Sequence, residues 1–111
     1  NVPYTLGRLF ALLEKAQVDA TSASTTIRDR YFSAAAATPG NVFPTLLRLS
    51  TYHTSKSDYG YVIEKKIAGV LEKLNVNDPP FPKQLNIEEQ GLFILGYYHQ
   101  RNALYRKKEE Q

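Results

Sequence analysis

Apolar residues recur at three- and four-residue steps in five stretches of this chain, and in none of them do they alternate with polar ones. A period near 3.6 residues sets such positions on one face of an α-helix, whereas a half-buried strand needs a period of two. No segment repeats at a fixed interval. The pattern therefore predicts an all-α fold, a compact bundle of about five helices. At 111 residues the chain is long enough to close one hydrophobic core and short for two, so residues 1–111 are expected to form a single domain.

Leu6, Leu9, Phe10, Leu13 and Ala16 make the first stripe, with Pro3 where a first turn tolerates it, and predict a helix over 3–18. Thr21 to Thr26 offers N-cap candidates for a second helix whose buried stripe is read as Ile27, Tyr31, Ala34 and Ala35. Thr38-Pro39-Gly40 ends it. Asn41 is expected to open a third, with Pro44 in its first turn and Val42, Leu46, Leu49 and His53 on one face. A break at Lys56-Ser57-Asp58, with Ser57 as cap, precedes a fourth stripe of Tyr59, Ile63, Ile67, Val70 and Leu74. Three prolines between Asn77 and Pro82 exclude a helix there. Asn86 with Glu89 three residues on is a capping-box start for the last helix, which runs to about Lys108. Phe93, Ile94, Leu95, Tyr97 and Tyr98 point in nearly every direction, so this helix is predicted to be surrounded by the others. Gly91 and Gly96 within it suggest close helix contact, with Ala34 to Ala37 as the matching small surface.

Chemistry is harder to find. The chain has no Cys, which excludes disulfides, thiolate metal sites and a cysteine nucleophile, and fits a reducing cytoplasm. Its apolar runs are far shorter than the roughly 20 residues of a membrane span, and no signal-peptide pattern opens it. It begins on Asn1 rather than Met, as a trimmed or processed piece of something longer would. His53, Ser57 and Asp58 could be imagined as a nucleophilic set. Ser57 and Asp58 are better read as helix-start residues, and His53 as a packed side chain making one hydrogen bond. His53 and His99 lack metal-ligand spacing, Glu88 and Glu89 suit the first turn of a helix dipole, and no glycine-rich phosphate loop is present. The expectation is a protein that is not an enzyme and takes no cofactor or metal.

What remains is basic charge. Fourteen Lys and Arg against eleven Asp and Glu give +3 and a pI near 9.2, which favours phosphate backbones or an acidic partner. Arg28 and Arg30 flank the second helix, Arg48 and Lys56 the third, and Lys65 and Lys66 the fourth. From Tyr97 to Lys108 the chain carries Arg101, Arg106, Lys107 and Lys108 among Tyr97, Tyr98, His99 and Tyr105, with no acid. Tyr97, Arg101 and Lys108 fall roughly in line, a set able to stack on bases while meeting phosphate. The competing reading is a solvated face of local ion pairs, with Asp29, Glu64, Glu109 and Glu110 as neutralising groups.

Several segments together resemble a known family. Leu6-Gly7-Arg8-Leu9-Phe10-Ala11-Leu12-Leu13-Glu14, Thr26-Ile27-Arg28-Asp29-Arg30-Tyr31-Phe32, Pro44-Thr45-Leu46-Leu47-Arg48-Leu49 and Gly91-Leu92-Phe93-Ile94-Leu95-Gly96-Tyr97-Tyr98-His99-Gln100-Arg101 are similar to the C-terminal part of the large subunit of type I-C CRISPR surveillance complexes (Cascade), a region also made separately as their small subunit. The ending, Gly96 to Gln100, is the most specific of them. The resemblance implies an all-helical, non-catalytic subunit lying beside the backbone subunits on the guide RNA, next to the large subunit and to neighbouring copies of itself. It also implies contact with target DNA that helps hold the opened strands in antiviral defence, while a separate helicase-nuclease cuts. On charge and helix position the expected nucleic-acid-binding residues are Arg28, Arg30, Arg48, Lys65, Lys66, Arg101 and Lys107. The alternative is a purely structural adaptor that rigidifies the complex.

Overall fold

The computed structural model describes residues 1–21, 26–74 and 81–109, the side chains of 107–109 apart. Within them lie five helices and no strand: α1 (Val2–Thr21), α2 (Ile27–Ala37), α3 (Pro39–Lys56), α4 (Gly60–Leu74) and α5 (Ile87–Glu109). The all-α reading holds. Ser22, Ser24 and Thr25 among the cap candidates, Asn77 to Pro80 in the proline-rich loop, and the side chains of Lys107 and Lys108 lie outside the described residues.

The centre of the bundle is α1, not α5. Leu6, Leu9, Phe10, Ala11, Leu12, Leu13 and Ala16 are all buried, so apolar side chains leave α1 in every direction and it packs on α2, α3, α4 and α5. Of the five apolar residues singled out on α5, Phe93 and Tyr97 are fully buried, while Ile94, Leu95 and Tyr98 are 40%, 50% and 38% exposed. The five apolar residues of α5 were expected to be enclosed together. The structure encloses two, because α5 lies along one side of α1 rather than among the other helices.

Glycine sets how closely those two helices meet. A Cβ on Gly7 would collide with the Phe93 carbonyl, and one on Gly96 with the Tyr4 carbonyl, so each helix uses a glycine to admit the other's backbone. Gly96 thus meets α1 rather than the predicted Ala34 to Ala37. Gly91 meets nothing within 4 Å. Replacing Gly91 by Ala should therefore raise stability by about 1 kcal/mol, the helix-propensity difference, read as a higher urea midpoint.

Helix ends follow local chemistry. Asn1 Oδ1 accepts from the Tyr4 N–H at 3.0 Å and caps α1. Thr26 Oγ1 accepts from the Arg28 N–H at 3.2 Å while Asp29 Oδ2 accepts from the Thr26 N–H at 3.0 Å, a capping box opening α2. The expected box at α5 is present, with Asn86 and Glu89 exchanging bonds of 2.8 Å. Of the expected stripe of α2, Ile27, Tyr31 and Ala35 face the core, joined by Phe32 and Ala36, whereas Ala34 is exposed.

Two starts differ from expectation. Helix α3 opens at Pro39 rather than Asn41, since proline at the first position has its φ preset and lacks only an N–H that would have no helical partner. Its Gly40 N–H is satisfied by the Pro82 carbonyl at 2.9 Å, from a segment whose Phe81 stacks on Phe43 at 5.4 Å. Pro44 consequently sits beyond the first turn, on the exposed side. Ser57 closes α3 rather than opening α4, and Tyr59 stands 70% exposed in the turn instead of on the buried stripe. Gly60 opens α4 because its backbone lies against that of Thr54, where a Cβ would collide.

Candidate nucleic-acid interface

The cations foreseen from the sequence fall into three surroundings. Arg28, in the first turn of α2, is half-buried: its Nη2 donates to Tyr98 Oη at 2.5 Å, and its guanidinium lies 5.4–5.8 Å from the ring centres of Tyr97, Tyr98 and Phe32. Cation–π contact and the hydrogen bond use it to pin α2 to α5. Arg101 is likewise half-buried and lies over the Tyr105 ring at 5.4 Å. Arg30, Arg48 and Lys65 are exposed, Arg48 with a long 3.4 Å contact to Thr45 Oγ1. Lys66 lines a cleft, and the Lys107 side chain is outside the described residues. The six whose side chains are described stand on four helices, in different surroundings.

Fixed ion pairing does not account for them. Among the described residues the one ion pair is Lys15 with Asp19, at 2.7 Å along α1. Asp29, proposed as a neutralising group, is taken up in the capping box of α2, and Glu64 pairs with no cation among the described residues. The row of Tyr97, Arg101 and Lys108 is not a stacking surface, because Tyr97 is 0% exposed and closed inside the aromatic core.

The structure adds residues that sequence reasoning missed. Helices α4 and α5 both pack on α1 but not on each other, so a groove remains between them with α1 as its floor. There a cleft of about 300 Å³ is lined by Arg8 and Leu12 from α1, Lys66, Gly69, Val70 and Lys73 from α4, and Gln100 from α5. Arg8 Nε donates to Gln100 Oε1 at 3.0 Å, joining floor to wall. The spacing of Lys66 and Lys73, seven residues and two turns apart on one helix face, was the available signal. Arg8 carried none, standing alone in an apolar helix.

The acids and histidines occupy other roles. Tyr97 Oη donates to Glu14 Oε1 at 2.5 Å inside the core. His99 Nδ1 lies 2.7 Å from Tyr4 Oη. His53 is buried against the Tyr52 ring, at 5.9 Å between centres, and lines a hollow with Gln17, Arg30, Tyr31 and Leu49. The hydrogen bond expected of its ring is not formed among the described residues. Ser57 and Asp58 line a different hollow, with Lys15, Asp19 and Tyr59. No group of three or more His, Asp or Glu among the described residues is placed to hold a metal ion. None of the helices described is long and apolar enough to cross a membrane.

Burial lowers the His53 pKa from its ordinary 6.5. The unfolded chain therefore takes up a proton there before the folded one does, so this histidine's contribution is complete above about pH 6.5 and is lost as pH falls below it. The urea midpoint should drop between pH 7.5 and 5.5, and His53→Gln should flatten that drop. An unchanged slope in the variant would assign the effect elsewhere.

Fold and surface together define a class: an all-helical module in which, among the described residues, one cation is ion-paired and three others gather at one cleft. A family model described as CRISPR-associated protein (Cas_Csd1) matches residues 1–105, and the chain belongs to that family. No curated protein matches it.

Proposed function

We propose that this chain is a non-catalytic subunit of a type I-C CRISPR effector complex in the cytoplasm, where it grips nucleic-acid backbone and stabilises the opened target DNA. The observation that carries the reading is that, among the described residues, every cation but Lys15 lacks a carboxylate partner, including Arg8, Lys66 and Lys73 of the cleft. Family membership supplies the setting. In a guide-directed complex base pairing reads the sequence, so protein parts need only hold backbone and shape. Strand exchange is nearly balanced in free energy, and a few phosphate contacts are enough to bias it towards the open state. The guide RNA, target DNA, backbone and large subunits, and neighbouring copies of the chain are the partners this reading implies.

The test is strand opening by complexes reconstituted with Arg30, Arg48, Lys65 and Lys66 changed together to Ala. The expected result is weaker opening with a shallower salt dependence. Unchanged opening at unchanged salt sensitivity rejects the reading. A second reading, a structural adaptor, is favoured by one observation: α5 presents Ile87, Ile94, Leu95, Tyr98 and Tyr105 to solvent, Ile87 at 86%. Crosslinks from the chain to protein but never to DNA or RNA would select it.

A further inference from the structure

We propose that the cleft between α4 and α5 is a seat for phosphate groups of a polynucleotide strand, with Arg8, Lys66, Lys73 and the amide of Gln100 as its donors. The proposal rests on the backbone-binding reading above and deepens it by naming the site.

Three features of the cleft point the same way. Its charged side chains are all donors. Arg8, Lys66 and Lys73 have no side-chain acceptor atom, and Gln100 Oε1 already accepts from Arg8 Nε, while its amide N–H groups make no hydrogen bond among the described residues. That same bond fixes the Arg8 guanidinium by one edge, and no other hydrogen bond holds it among the described residues. Its Nη groups therefore remain as a positioned fork suited to phosphate oxygens. Among the described residues no carboxylate lines the cleft, and its three cations form no ion pair.

Gly69 is the second observation. It lies inside α4, where glycine costs about 1 kcal/mol against alanine, yet a Cβ there would meet nothing within 4 Å. Packing does not require glycine at this position. Its effect is to leave the cleft open between Lys66 and Lys73, so that a ligand can lie against the helix backbone. The two lysines stand two turns apart, about 10 Å along the axis. A chain of successive phosphates spans that distance, whereas one free anion meets both only if the side chains converge.

The experiment is fluorescence anisotropy of a labelled 20-nucleotide oligo-dT with the chain in about 20 mM salt, where screening is weak. Lys66→Gln combined with Lys73→Gln is expected to weaken binding by about tenfold and to flatten the salt dependence by roughly one to two phosphate equivalents. Gly69→Leu, which fills the cleft without changing charge, should weaken binding as well. Circular dichroism checks that each variant keeps its helices. Arg30→Gln with Arg48→Gln serves as the comparison. If that pair loses affinity while the Lys66/Lys73 and Gly69 variants do not, the seat is wrong and the backbone-binding reading survives. Failure of the unaltered chain to bind any oligonucleotide, alone or in the reconstituted complex, removes both. Competition by millimolar inorganic phosphate or adenosine monophosphate down to full displacement would make the cleft a free-phosphate site and overturn the polynucleotide assignment.

Discussion

Gly7→Ala is expected to lose about 3 kcal/mol of stability, a lowering of the melting temperature by roughly 15 °C for a domain of this size. The added methyl would run into the carbonyl of Phe93, a backbone atom that cannot rotate away, so α1 and α5 would have to separate along their whole contact. The reciprocal change, Gly96→Ala against the Tyr4 carbonyl, should behave alike. Combining the two should cost less than their sum, since helices parted by one methyl have room for the second. Thermal unfolding followed by circular dichroism reads all three variants. A loss below about 1 kcal/mol at both positions would mean that the helices are not held this close.

Tyr97→Ala should be comparably severe, about 3–5 kcal/mol, as for other large aromatic truncations in cores. Tyr97 lies among Phe10, Phe32 and Tyr98, with ring centres 4.9–5.8 Å apart, and its hydroxyl is the side-chain partner of the buried Glu14 carboxylate. Tyr97→Phe separates these contributions. It keeps the ring and strands Glu14, and is expected to cost about 1–3 kcal/mol. Burial first, then the hydrogen bond to Glu14 and its charge, push the Tyr97 phenol well above its ordinary value of 10, against the opposing influence of Arg28 and Arg101. The folded chain thus keeps a proton that the unfolded chain begins to release near pH 10, and stability falls as pH rises past that point. Denaturant midpoints at pH 9 and 11 would show the fall in the unaltered chain and a smaller one in Tyr97→Phe. Equal falls would mean that Tyr97 does not titrate as its surroundings require.

The helices could be read from the sequence because their stripes are regular, as in Ile63, Ile67, Val70 and Leu74, or because their caps are local, as in Asn86 with Glu89. What could not be read was which helix the others surround. Apolar residues on nearly all sides were read in α5 and a single stripe in α1, and only the three-dimensional packing shows that Leu9 to Leu13 are enclosed while Ile94 and Leu95 are not. The same holds for the site. Arg28 looked like an exposed contact residue because nothing in its own helix showed that Tyr98, seventy residues on, would meet it. Arg8 looked unremarkable for the converse reason. Its neighbours in the cleft come from two other helices, and one-dimensional spacing carries no trace of the gap between α4 and α5.

The bonds from Tyr4 to His99 and from Arg8 to Gln100 join residues 95 and 92 positions apart. Loop closure over such separations is slow, and the cover of α1, on which the other four helices pack, is completed only when α5 docks. Folding of this unit consequently waits on α5. A nascent segment halted before α5 would present the side of α1 around Gly7, where the Phe93 backbone would lie, to whatever binds greasy surfaces in the cell.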